Sequence, residues 1–200
     1  MNYVIKYNKH YQLNPHIFRD EHLYWHSDIH WASLVAPYQL ARQEKITTYI
    51  GILEDCEMVI KNVIKEPFEQ PAFQVIGSRT PMHSSALGKV VLAHLTPNKQ
   101  LEMLKSIELN TYTTKTFYDY DLLIPHLQVI KGQGYAVDDE ETNLGWCCIA
   151  VPIYLNKEVI GAIALHSSTE QIKKTAIRSF AKKLVKTSQQ VTVELKYLLA

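Results

Sequence analysis

Three cysteines in 200 residues, two of them adjacent at Cys147 and Cys148, make no disulfide framework and suit a reducing compartment. A surplus of charge is also missing. Basic residues number 21 against 20 acidic ones, and the net charge of +1 excludes a global attraction to nucleic acid or to a membrane surface. No apolar run approaches the ~18 residues of a membrane span, and Met1 to Leu13 is polar and aromatic, unlike a secretory signal. These absences predict a soluble, cytoplasmic protein. No internal repeat or low-complexity segment occurs, and the candidate ligands His83, Asp138, Cys148 and His166 have no short metal-motif spacing. What the chain does have is apolar residues. A hydrophobic share of 46% is ample for one compact domain with a sizeable core, plus an appendage.

Tyr3 to Ile5 and Tyr11 to Leu13, separated by the polar Lys6 to His10, read as a short hairpin. Asn14 and Pro15 form a helix opening, with Asn as N-cap and Pro in the first turn. From there to Lys45 the chain has no glycine and carries Ile17, Phe18, Trp25, Trp31, Leu34 and Leu40, which predicts two consecutive helices broken near Pro37. Residues this large and apolar are buried either against a partner chain or back on the main domain. Ile46 to Leu53 and Met58 to Ile64 predict a hairpin, with Phe73 to Ile76 as a candidate third strand. Thr96 and Pro97 start a helix running to Ser106. Asp119 or Asp121 starts another around Leu122 to Lys131, ended by Gly132 or Gly134. Strands follow near Tyr135 to Val137, Cys147 to Tyr154 and Val159 to His166. Ser168 with Gln171 reads as a capping box for a long last helix, whose stripe is Ile177, Phe180, Leu184, Val191, Leu195 and Leu198 and whose lysines form a solvated face. Strands in two groups, with helices between and at both ends, predict an α+β domain around a largely antiparallel sheet.

The segment from Gly77 to Ala93 concentrates the functional signal. Gly77 and Pro81 break a strand pattern, Ser84 or Ser85 caps a helix, and Leu87, Val90, Val91 and Leu95 recur at helical spacing. Small side chains at Ser84, Ser85 and Ala86 would let a carboxylate or phosphate reach the amides of the first turn, where the helix dipole favours negative charge. Strand parity points to the same place. Cys148, Ala150 and Pro152 share one face of their strand, and Ala162, Ala164 and His166 one face of the next, small or polar where the opposite faces are bulky. Such a face makes room either for a ligand or for a closely packed helix.

The stretch Pro81-Met82-His83-Ser84-Ser85-Ala86-Leu87-Gly88-Lys89 resembles the signature of the effector-binding domain of the IclR family of bacterial transcription factors. A second block agrees with it: Gly134-Tyr135-Ala136-Val137-Asp138-Asp139-Glu140-Glu141, then Gly145-Trp146-Cys147-Cys148-Ile149-Ala150-Val151-Pro152. The resemblance covers nearly the whole chain and implies a GAF-like fold for residues 46–200, a linker with dimer contacts over 14–45, and over 1–13 the wing of a winged helix-turn-helix domain whose helices are missing. It implies a ligand-sensing, oligomerising domain, dimeric or tetrameric, that binds a small organic acid, needs no cofactor and meets DNA only through the missing domain. Carried over by residue, the acid group rests on the amides of Ala86 and Leu87 behind Ser85, with Asp138 and Cys148 as further contacts. Where many relatives have serines on the last strand, this chain has Ala164 and His166, so one hydroxyl is lost and the other replaced by a titratable ring.

Two other chemistries use the same residues. A cysteine enzyme would pair Cys148 with His83 or His166 and with Asp138, although a thiol inside a strand has no helix N-terminus to activate it. A metal-binding sensor would gather His83, Asp138, Cys148 and His166, which only the fold could bring together.

Overall fold

The computed structural model describes residues 4–7, 10–13, 29–65 and 74–199, and divides into two units, Met1–His30 and Trp31–Ala200. In the first, β1 (Val4–Tyr7) pairs antiparallel with β2 (His10–Leu13), Val4 opposite Leu13 and Tyr7 opposite His10. The ladder thus takes in Lys6, Tyr7 and His10, which the sequence pattern assigns to the turn. The helix opening at Asn14 and Pro15 lies outside the described residues, as does the apolar stretch from Ile17 to Trp25.

The second unit opens with a 3-10 turn at Trp31–Ser33 and α1 (Val35–Glu44), followed by the strands β3 (Thr47–Glu54), β4 (Glu57–Ile64) and β5 (Arg79–Thr80). Three helices come next, α2 (Ala86–His94), α3 (Pro97–Ser106) and α4 (Tyr120–Gln133). The strands β6 (Ala136–Asp139), β7 (Trp146–Leu155) and β8 (Glu158–Ser168) and the long α5 (Ile177–Leu198) complete it. The six strands form one sheet in the order β5-β4-β3-β8-β7-β6, antiparallel at every pairing, so the fold is the α+β arrangement the sequence predicts. Helix α2 lies over β7, β8 and β6 with α4 stacked on it, while α5 and α1 cover the other face. Both faces of β7 are therefore buried, and Cys147 through Ile153 read as an unbroken apolar run.

Several expectations shift. Pro37 lies in the first turn of α1, where its missing N–H would have no intrahelical partner anyway, so it opens that helix instead of breaking one. The helix is held within the second unit: Leu34, Ala36, Leu40 and Ala41 are buried, and the Glu194 carboxylate on α5 accepts from the amides of Val35 (2.9 Å) and Ala36 (3.1 Å). The end of the expected 14–45 linker thus packs back on the domain. Gln74 to Ile76 is not a strand, because Ser78 closes a turn onto the Val75 carbonyl and the backbone bonds to β4 begin only at Gly77, which donates to the Ile60 carbonyl at 2.8 Å (Phe73 lies outside the described residues). Ser168 accepts from the Gln171 amide at 3.3 Å, but the Gln171 side chain reaches the Lys45 carbonyl, and the helix starts at Ile177. Thr96 stands at an N-cap without a side-chain cap bond, whereas Asp119 caps α4 through the Asp121 amide and Gly134 ends it at φ 81°.

Candidate functional site

Strand register assembles the site. Thr47, His166, Cys148 and Asp138 stand side by side across four neighbouring strands, and Tyr49, Ala164, Ala150 and Ala136 make the next row on the same face. The two readings of that small-residue face are both realised. Along the alanine row α2 packs down, with Ala86, Val90 and Ala93 in one core with Ala150 and Ala164. At the polar row the helix has ended, and a cavity of about 260 Å3 remains.

Asp138, Cys148 and His166 line that cavity along the sheet, and Leu87 closes it from the start of α2. Ala86 and Ala164 do not line it: both are fully buried beneath and beside the helix. Ser85 faces inward as the cap, accepting from the Gly88 amide at 2.9 Å and donating to the Pro81 carbonyl at 2.6 Å. The amides of Ala86 and Leu87, the next two donors of that turn, meet no acceptor among the described residues. The loop that leads here crosses so close to the helix that a Cβ on Gly88 would lie 2.4 Å from the Met82 Cα. The rest of the wall comes from Tyr49 on β3, from Gln74, from Arg79 to Pro81, from Tyr112, and from Thr142 and Asn143. Apart from Tyr49, which shares the face of Ala164, no sequence period marks them, because they come from loops, a short edge strand and a turn.

The Asp138 carboxylate is held by its own turn, accepting from the amides of Glu141 (2.7 Å) and Thr142 (3.2 Å) and from the Thr142 hydroxyl (2.5 Å). Burial nonetheless raises its affinity for a proton above its ordinary value. The His166 ring is pulled down to about 4 by burial, sandwiched against Trp146 and edge-on to Tyr49, so it is neutral at pH 7. Cys148 is pushed well above the usual thiol range by burial, the reverse of what a nucleophilic thiolate requires. His83 points elsewhere. Its Nε2 lies 2.9 Å from the Asn110 carbonyl, in a second cavity of about 220 Å3, and no three of the described His, Cys, Asp and Glu residues converge as metal ligands.

Residues 25–193 match the family described as bacterial transcriptional regulator IclR C-terminal. The chain belongs to the IclR family. It is 32% identical over 147 residues to the HTH-type transcriptional regulator XynR of Escherichia coli, a match spanning 73% of this chain and 58% of that one. The C-terminal domain of the E. coli regulator KdgR superposes with a TM-score of 0.71 at 26% identity, covering 79% of this chain and 92% of that domain. A double mutant of the inducer-binding domain of PobR from Acinetobacter, solved with 3-hydroxybenzoic acid, shares the fold at a TM-score of 0.73 and 24% identity, over 80% and 95% of the two chains. The matches to XynR and full-length KdgR span about six tenths of those regulators. These IclR relatives are transcription regulators, and among the described residues no helix is long and apolar enough to cross a membrane.

Proposed function

We propose that this chain senses a small organic acid in the 260 Å3 cavity, with the acid group on the Ala86 and Leu87 amides and the other end among Asp138, Cys148 and His166. One observation carries this reading: a helix that opens on two unpaired amides meets, at Leu87, the cavity that the polar row of Asp138, Cys148 and His166 lines. The same fold holds a hydroxybenzoic acid in the double mutant of the Acinetobacter domain. Ligand occupancy shifts a conformational equilibrium that the segment 14–45 passes to a DNA-binding domain, of which residues 1–13 are the wing, in a cytoplasmic dimer or tetramer.

Calorimetric titration with pyruvate, short dicarboxylates and the hydroxybenzoates tests the site. Ala86→Pro removes one donor at a helix position where proline is accepted, and weakens binding by more than ~1 kcal/mol. Lys182→Ala, on the exposed face of α5, leaves it unchanged. Equal affinity in wild type and Ala86→Pro, or no binding across the panel, overturns the reading.

A further inference from the structure

Lys89 is the one lysine or arginine among the described residues that is buried, and its exposure is 0%. It closes the first turn of a helix whose other buried residues are all apolar, where a charge is expensive unless it is paired. Its ammonium donates to the Val137 carbonyl at 2.7 Å, pairs with the Glu141 carboxylate and lies 5.3 Å from the centre of the Phe117 ring. Val137 comes just before Asp138, and Glu141 three residues after it. One side chain of α2 therefore grips both ends of the turn that presents Asp138 to the cavity. Its own amide belongs to the first turn of that helix, donating to the Ser85 carbonyl at 2.9 Å, so the unpaired amides and the Asp138 turn are referred to a single element.

Glu141 knots the arrangement. Its amide donates to Asp138 and its carbonyl accepts from the hydroxyls of Thr116 (2.7 Å) and Thr113 (3.3 Å), while its Oε2 is buried with no partner among the described residues. Two buried carboxyl groups thus share one buried cation. The other charged or titratable groups around them do not restore balance. Glu140 and Asp139 are paired outward with Lys115 and Lys174, His126 stacks on Phe117, His83 bonds Asn110, and Cys147 and Cys148 lie behind on β7. Burial and the Lys89 charge hold His126 down to about 4, and burial holds Glu141 up at about 7.

We propose that Lys89 is the positioning residue of the cavity, fixing through Val137 and Glu141 the turn that carries Asp138, Thr142 and Asn143, and that an anion entering beside this cluster takes up a proton with it. The second clause rests on the anion reading of the cavity; the first does not. Like charges gathered in a low-dielectric pocket cannot all stay ionised, so a third negative group raises the proton affinity of the two already there.

Hydrogen exchange of the ligand-free chain tests the first clause. Lys89→Met speeds exchange of the amides of residues 139–145 by about tenfold or more while those of β8 stay protected. Glu141→Ala, which leaves the helix core intact, does the same should Lys89→Met fail to fold. Unchanged exchange in the variant overturns the positioning role. The second clause is read by titrating 3-hydroxybenzoate at pH 7.5 in two buffers of different ionisation enthalpy. Wild type shows net proton uptake, and Glu141→Gln, which keeps an acceptor for Lys89 and wild-type exchange in the turn, shows none. Binding without uptake overturns the proton clause. A probe that gives no heat counts against the anion reading of the cavity and takes the proton clause with it, while the exchange result still decides the role of Lys89.

Discussion

Trp146 and His166 lie face to face at the edge of the cavity, their ring centroids 4.9 Å apart and their planes 4° from parallel. The indole shields one face of the imidazole and Tyr49 meets it edge-on, so the ring lines the cavity as a neutral group. Removing that cover by Trp146→Ala moves the His166 titration from about 4 up toward the ordinary histidine value of ~6.5. The midpoint read from its ring proton by NMR checks this. A wild-type midpoint near 6.5 shows the ring to be solvated.

The pH dependence of anion binding follows from the same distinction. Proton uptake centred on Glu141, held near 7, tightens binding as pH falls through neutrality, whereas His166 takes no proton until far lower pH. Affinity for 3-hydroxybenzoate measured from pH 6 to 8 keeps its slope in His166→Ser and loses it in Glu141→Gln.

Acid sensitivity has the opposite sign. His126 and His166 have folded values near 4, and His83 and His94 are also lowered by burial, so the unfolded chain binds more protons than the folded one between ~6.5 and 4. Their contribution to stability is complete above ~6.5 and is lost as pH falls toward 4. Denaturant midpoints at pH 7 and pH 5 show this loss, and His126→Phe, whose ring keeps the stack on Phe117, narrows the difference.

Capping separates Ser85 from Thr96. Ser85→Ala deletes the bonds to the Gly88 amide and the Pro81 carbonyl and costs about 1 kcal/mol, whereas Thr96→Ala, which removes no cap bond, costs a few tenths at most. Equilibrium unfolding of the two variants side by side decides it.

Gly88→Ala is the harsher change. The new Cβ would lie 2.4 Å from the Met82 Cα and 2.6 Å from the Pro81 carbonyl oxygen, both backbone atoms, so helix and loop must separate. A loss of ~2 kcal/mol or more is expected, together with loss of anion binding, because the amide-bearing turn moves with the loop.

Most of the architecture was legible because periodicity and caps are local. The 3.6-residue stripe of α5 placed Leu184, Val191 and Leu195 in the core although its last member, Leu198, is exposed, Pro97 and Ser106 bounded α3, and alternation separated Cys148 and Ala150 from Ile149 and Val151. Two motifs in the right order were enough to name the family that the comparison shows. What the sequence could not contain was register. Only pairing across β3, β8, β7 and β6 puts Thr47, His166, Cys148 and Asp138 in one row, and only the end of α2 decides that Ala164 lies under a helix while His166 borders a cavity. The proton affinity of His166 belongs to the fold as well, because desolvation depends on what covers the ring. Lys89 is the clearest case. In sequence it is a lysine in an apolar helix, and only the return of the chain at Val137 and Glu141, some fifty residues on, turns it from a burial cost into a tie across the cavity.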